Sequence, residues 1–71
     1  MWIESQDGME MIKCNNFSYG YSRRTNQYEV SVNGRVMGYY HTLEDARKVF
    51  YGIEKGIIDG QLMFSIPRDV L

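Results

Sequence analysis

The chain has 71 residues with one cysteine and one histidine, and its formal net charge is −1 at pH 7. This length predicts one small domain, a single cysteine excludes an intrachain disulfide, and one cysteine with one histidine cannot make a four-ligand zinc site. The balanced charge makes nucleic acid an unlikely partner, and apolar runs of two or three residues exclude a membrane-spanning helix.

Two short strands are predicted at the start of the chain, over residues 1–4 and 9–14. The turn between them contains Asp7-Gly8, a pair that supplies the positive φ of a tight hairpin. Trp2 is expected to be a core or interface anchor. The start of the chain lacks the basic and apolar regions of a signal peptide, so we expect a soluble cytoplasmic protein.

A third strand with an aromatic face follows. Phe17, Tyr19 and Tyr21 alternate with small residues, the period of a strand. Arg23-Arg24 then begins a polar connection to the next strand. These arginines beside the tyrosine rings suit a nucleotide, because arginine binds phosphate and a ring stacks on a base. The alternative is a solvated hairpin loop.

The clearest hairpin signal lies in the middle of the chain. Tyr28, Val30 and Val32 alternate with polar residues, and Asn33-Gly34 predicts a two-residue type I′ turn. On the returning strand, Arg35 to His41, we expect Val36 and Tyr40 to face the core valines. This assignment leaves Met37 and Tyr39 exposed or at a subunit boundary, where a dimer interface, a ligand floor and half-exposed residues are the alternatives.

An amphipathic helix is predicted next. Thr42 is a suitable N-cap, with Asp45 three residues later, and Gly56 occupies the position of a C-terminal αL cap. The apolar face comprises Leu43, Ala46, Val49, Phe50 and Ile53. A last strand is expected over residues 61–66, ended by Pro67, and residues 68–71 are expected to form a tail.

These elements predict an α+β fold in one domain over residues 1–71. The expected architecture is an antiparallel five- to six-stranded sheet with one amphipathic helix packed on one face, in the order β-β-β-β-β-α-β. A single helix of this length cannot cover so many strands. The uncovered aromatic face is therefore expected to be an interaction site.

The predicted sites contain no catalytic and no metal-binding residue, and no cofactor is expected. The predicted ligand-binding residues are Tyr19, Tyr21, Arg23, Arg24, Arg35, Tyr39 and His41. The predicted interface residues are Trp2, Phe17 and Met37. His41 adjoins the start of the helix, where the dipole favours a neutral ring, and no nucleophile is placed beside it by a motif. We therefore expect a non-enzymatic protein.

The opening Trp2-Ile3-Glu4-Ser5-Gln6-Asp7 resembles that of a group of short, mostly uncharacterised proteins of Gram-positive bacteria and their phages, which begin with a W-I-x-S-Q-D-like strand and turn. Further features of the resemblance are Gly38-Tyr39-Tyr40, Glu44-Asp45-Ala46, Val49 and Phe64-Ser65-Ile66-Pro67. The resemblance implies a bacterial or phage protein of the host cytoplasm. Small phage proteins of this kind often antagonise host defence by binding a protein or a nucleotide signal.

A second resemblance is partial. The order of strand, Asn-Gly turn, strand and Thr-x-Glu-x-Ala helix is similar to the AP2-like DNA-binding domains, which read the major groove from a three-stranded sheet. Arg23, Arg24 and Arg35 are the matching positions. The chain departs from that pattern because it lacks a basic sheet face and has an additional N-terminal hairpin.

Three functions follow as expectations. The first is a homodimer or higher oligomer that sequesters a nucleotide-derived signal in a pocket between protomers, as a phage anti-defence sponge would. That pocket must be shared, because drug-sized ligands need about 300–1,000 Å³ and a core this small has no such room. The second is a protein-interaction module that inhibits a host protein. The third is an AP2-like DNA-binding domain.

Overall fold

The computed structural model describes residues 1–69, which form six strands and one helix. The elements are β1 (Trp2–Glu4), β2 (Met11–Lys13), β3 (Phe17–Ser22), β4 (Gln27–Val32), β5 (Arg35–Tyr40), α1 (Leu43–Ile58) and β6 (Met63–Ser65). The order of strands and helix is the predicted one. The second and last strands are shorter than expected, and the predicted tail residues Val70 and Leu71 lie outside the described part of the chain.

The strands form two three-stranded sheets, so the prediction of a single five- to six-stranded sheet is wrong. Sheet A has the order β2-β1-β6, with β1 antiparallel to β2 and parallel to β6. Sheet B is the antiparallel meander β3-β4-β5. The fold class remains α+β.

The Asn33 side chain holds the connection between β2 and β3, which belong to different sheets. Its Oδ1 accepts hydrogen bonds from the backbone N–H groups of Asn15 and Asn16, at 2.8 and 3.1 Å. Its Nδ2 donates to the Lys13 carbonyl oxygen at 2.7 Å. The backbone between β2 and β3 is thus held by a side chain of a distant turn, and it does not continue as a ladder.

The β4–β5 hairpin confirms the predicted turn and corrects the predicted register. Asn33 and Gly34 have φ values of 54° and 79°, as a type I′ turn requires. A β-bulge interrupts the ladder, because Val30 pairs with Gly38 whereas Ser31 pairs with Val36. The residue between Val36 and Gly38 is therefore an extra one on β5. The side chains beyond it point to the opposite face of the sheet from the one that simple alternation predicts.

Met37 is that extra residue, and it is only 3% exposed. The expectation that Met37 is exposed or lies at a subunit boundary is therefore wrong, because its side chain belongs to the core of a single chain. Val36, which was expected to face the core valines, is only half-buried and pairs with Ser31. Tyr40 is buried as predicted.

The helix begins as predicted and ends later. Thr42 caps it by accepting a hydrogen bond from the Asp45 N–H at 3.1 Å. The helix continues past Gly56 to Ile58, with Asp59 as its C-cap. Gly56 is buried inside the helix, where a Cβ would lie 3.2 Å from atoms of the Met1 side chain, so close packing rather than an αL cap explains the glycine.

The core lies where both sheets meet α1. It contains the buried residues Ile3, Val30, Val32, Met37, Tyr40, Ala46, Val49, Ile53 and Ile66. Leu43, predicted on the apolar face of the helix, is exposed. The aromatic face of β3 is turned towards the helix, where the Phe17 and Tyr19 rings pack 4.8 and 4.9 Å from the Phe50 ring. The aromatic surface expected to be open is therefore largely covered.

Candidate functional site

Apolar side chains are exposed on the outer face of sheet A. Trp2 lies on the central strand and is 48% exposed, while Met11 and Met63 on the neighbouring strands are 46% and 49% exposed. Strand pairing places six side chains on this face in two rows. The rows are Lys13, Trp2 and Met63, followed by Met11, Glu4 and Ser65. We call these six residues the Trp2 face.

Strand alternation and the position of the helix leave the Trp2 face open. Ile3, between Trp2 and Glu4, is fully buried, so its two neighbours point outwards. The helix lies on the inner side of the sheet, where a Cβ at Gly52 would be 3.1 Å from the Phe64 ring. The three apolar side chains on the other side of sheet A are about half exposed, so no described element covers that side.

Two opposite charges accompany the apolar side chains of the Trp2 face. Glu4 accepts a hydrogen bond from the Ser65 hydroxyl at 2.9 Å, which fixes its carboxylate at one end of the face. Lys13 lies diagonally across from Glu4, on the neighbouring strand. The face therefore carries one cation and one anion at separate positions and has no net charge.

The structure separates the arginines predicted to bind a ligand. Arg23 and Arg24 are exposed in the connection between β3 and β4. Arg35 begins β5 beside the opposite turn of sheet B, where its Nε donates to Glu10 at 2.9 Å. Strands of six residues place these two ends about 20 Å apart. One protomer therefore does not bring the three arginines into a single site.

The predicted tyrosines also lie in different surroundings. Tyr19 packs against the helix, whereas Tyr21 is exposed and donates a hydrogen bond to the Asn26 side chain at 2.9 Å. Tyr39 lies on β5 opposite Glu29, on the side of sheet B that faces away from the helix. Of the predicted interface residues, Trp2 is exposed, Phe17 contacts the helix, and Met37 is in the core.

His41 joins the end of β5 to the last described residues. Its backbone N–H donates to Asp69 at 2.9 Å, and its ring Nδ1 is within hydrogen-bond distance of the same carboxylate. Nearby, the Tyr40 hydroxyl donates to the Pro67 carbonyl oxygen. Burial, with a smaller contribution from Asp69, raises the pKa of Tyr40 well above its usual value. These contacts give His41 a partner in the fold.

A cavity of about 180 Å³ adjoins these contacts. Its lining is formed by Tyr40, Asp45, Lys48, Val49, Pro67, Arg68 and Asp69. Pockets for drug-sized ligands have about 300–1,000 Å³, so this cavity is too small to enclose a nucleotide.

A larger groove lies on the exposed side of α1, where the sequence predicted only a solvated helix face. It has about 490 Å³ and is lined by Leu43, Glu44, Arg47, Lys48 and Tyr51. The Arg47 guanidinium carbon is 5.9 Å from the centre of the Tyr51 ring. A hydrogen bond with Tyr51, with smaller contributions from Tyr19 and Glu44, raises the pKa of Arg47. Helical spacing alone places Arg47 and Tyr51 together, but the contribution of Tyr19 depends on the tertiary fold.

The described residues offer little support for metal or thiol chemistry. Within residues 1–69, no three His, Cys, Asp or Glu side chains lie close enough together to hold a metal ion. Burial raises the pKa of the Cys14 thiol, which disfavours the reactive thiolate. Among the described residues, no helix is both long and apolar enough to cross a membrane.

Comparison with known proteins adds no assignment. No protein-family model, no curated protein and no solved structure matches the chain. The resemblances to short phage proteins and to AP2-like domains therefore stay predictions, and function has to be inferred from the surfaces described above.

Proposed function

We propose that this protein is a non-enzymatic binding protein that acts by pairing with a second copy of itself through the Trp2 face. The observation that carries the proposal is the half-exposed Trp2 at the centre of an open sheet, between two half-exposed methionines. Burying the exposed half of one tryptophan contributes about 2–3 kcal/mol. Tryptophan is also one of the side chains enriched among the residues that dominate protein interfaces.

The charges of the Trp2 face favour a second copy as its occupant. A two-fold axis in the plane of the face, midway between Lys13 and Glu4, brings Lys13 opposite the partner's Glu4 and the reverse. The same axis passes close to Trp2, so the two indoles meet near the centre. The strand spacings make β1 and its copy cross near a right angle, which is one of the two preferred arrangements of packed sheets.

The size of the face predicts a weak dimer. Three strands of three residues span about 14 by 10 Å, an area of about 140 Å². Such a contact is far smaller than the about 800 Å² per partner of a standard specific interface. We therefore expect a dissociation constant of about 100 μM or more, so that the dimer forms only at high protein concentration.

Sedimentation velocity across protein concentrations tests the pairing. Because Trp2 is the only tryptophan, its fluorescence emission should shift to shorter wavelength as the dimer forms. Trp2→Ser should abolish the dimer. Tyr39→Ser is the matched control, since Tyr39 is an exposed aromatic residue on sheet B (39% exposed) and its removal should leave the dimer unchanged.

A charge exchange distinguishes a two-fold contact from any other use of the face. Lys13→Glu alone and Glu4→Lys alone should each weaken self-association, because each places like charges opposite one another. A mixture of the two variants should associate again, because the mixed pair places opposite charges together. A monomer at all concentrations, or a mixture that does not associate, would refute self-pairing. A monomer that binds a host protein through Trp2 would favour the alternative of a protein inhibitor.

The prediction of a nucleotide-derived ligand is compatible with this proposal but is not required by it. The ligand residues predicted from the sequence are dispersed in one protomer, and none of them belongs to the Trp2 face. The AP2-like alternative has little to favour it, because Glu29 lies on the exposed side of sheet B and the strands there offer few cations for phosphate groups.

A further inference from the structure

The groove on α1 has the size and shape of a shallow ligand site. Leu43, Arg47 and Tyr51 follow one another at intervals of four residues on the exposed side of the helix. Its volume of about 490 Å³ lies within the usual range for small-molecule sites. The Trp2 face lies on sheet A and includes none of these residues, so the groove is a separate surface.

The Arg47 guanidinium can donate hydrogen bonds to a ligand in this groove. Among residues 1–69, no carboxylate lies within ion-pairing distance of its guanidinium. Its guanidinium instead lies over the Tyr51 ring, with the central carbon 5.9 Å from the ring centre, and Glu44 acts on it from beyond ion-pairing distance. A guanidinium has five N–H donors, and its planar fork matches a phosphate or carboxylate. Lys48 adds a second cation, and its exposed pair with Glu44, at 3.7 Å, is weak enough to open.

Tyr51 presents a ring that is already held in place. The side chain is 48% exposed, and its ring lies 5.7 Å from the ring of Phe50 behind it. Phe50 is itself packed between Phe17 and Tyr19. A supported ring loses little conformational freedom when a flat ligand stacks on it, which favours binding. Stacking of a base on an aromatic side chain is worth about 1–3 kcal/mol in single-strand-binding proteins.

We infer that this groove binds a planar ligand that carries a phosphate, such as a nucleoside monophosphate. Arg47 and Lys48 bind the phosphate. The Arg47 guanidinium lies over one face of the Tyr51 ring, so the base stacks on the other face. The phosphate-binding side chains and the Tyr51 ring are one helical turn apart. This spacing suits a small ligand better than an extended nucleic-acid strand. The site differs from the one predicted at Arg23 and Arg24, which lie in the β3–β4 connection.

Titration with adenosine monophosphate, followed by NMR chemical shifts at low salt, tests the inference, with adenosine and inorganic phosphate as separate probes. The monophosphate should bind most tightly, because only it uses both parts of the groove. Arg47→Gln should weaken its binding about 10- to 100-fold, and Tyr51→Leu about 5-fold or more. Arg24→Gln is the matched control, because it removes an exposed arginine elsewhere, and it should leave binding unchanged.

Three results would overturn the inference. They are absence of binding by the monophosphate, equal binding of inorganic phosphate with no effect of Tyr51→Leu, and loss of binding on Arg24→Gln. Both Arg47 and Tyr51 are exposed, and thermal unfolding of each variant verifies that the fold is intact. Repeating the titration with Trp2→Ser separates the groove from self-association, since the groove should still bind when the protein is monomeric.

Discussion

Gly38→Ala tests the packing of β5 against the segment that follows β6. A Cβ at Gly38 would lie 2.7 Å from Cγ2 of Ile66 and 3.2 Å from a ring carbon of Tyr40. Ile66 and Tyr40 are both buried, and the Tyr40 hydroxyl is fixed on the Pro67 carbonyl oxygen, so neither side chain has room to withdraw. The alanine therefore overpacks the core.

The expected loss of stability follows from two opposing terms. Overpacking of a core costs about 1–3 kcal/mol, while replacing a glycine by alanine stabilises by about 0.4–1 kcal/mol through the unfolded chain. The net loss is about 1–2 kcal/mol. For a domain of this size, it lowers the melting temperature by about 5–15 °C, measured by circular dichroism.

Gly20→Ala in the same sheet is the matched control. No atom lies within 4 Å of a Cβ at Gly20, and its φ is not positive, so only the favourable term remains and the melting temperature should rise by a few degrees. Combining Gly38→Ala with Ile66→Ala removes the clashing methyl. The double variant should therefore be more stable than the sum of the single effects predicts, by about 1 kcal/mol. Equal effects at the two glycines, or additive effects in the cycle, would refute the assigned contact.

Two further predictions concern the corrected register and the first turn. Met37→Ala should destabilise the protein by about 2–5 kcal/mol in urea unfolding. Tyr39→Ala should cost less, because Tyr39 is 39% exposed on the outer side whereas Met37 is 3% exposed; the reverse order would restore the register without a bulge. Hydrogen bonds from the Ser5 hydroxyl at 2.6 Å and the Met9 N–H at 2.9 Å lower the pKa of Asp7. The ionised Asp7 carboxylate therefore stabilises the fold fully above the usual pKa of an aspartate, and this contribution is lost as the pH falls through the lowered pKa. Carboxyl NMR titration should therefore show the Asp7 pKa returning towards its usual value in Ser5→Ala, and an unchanged pKa would contradict this cause.

Local signals in the sequence predicted the local structure well. Asn33-Gly34 specifies its turn because both residues need a positive φ, and Thr42 specifies the start of the helix because its hydroxyl accepts a hydrogen bond within the first turn. Both depend on neighbours in the sequence. The bulge that turns Met37 inwards depends on the fit between two strands, and alternation in one strand does not reveal it.

The arrangement of the sheets depends on contacts between distant residues. The second role of Asn33, in holding Asn15 and Asn16, is not visible from its position in a turn. Nor does the order of elements show that β6 pairs with β1 in parallel rather than extending the meander. The ligand site predicted from the sequence also depended on contacts between distant residues. Its members Arg24 and Arg35 lie at opposite ends of sheet B.

The Trp2 face and the core divide β1 between them, and protein concentration separates self-association from stability. Ile3 is fully buried in the core, whereas Trp2 and Glu4 point outwards. Trp2 is 48% exposed, so the half that its own chain already covers contributes about 2–3 kcal/mol to the monomer, by the same area estimate. Trp2→Ser should therefore lose the dimer and, at concentrations where the wild type is monomeric, also melt about 10–20 °C lower. The dimer adds a second contribution that grows with protein concentration, and a wild-type melting temperature that does not rise with concentration would mean that the Trp2 face supports no interface.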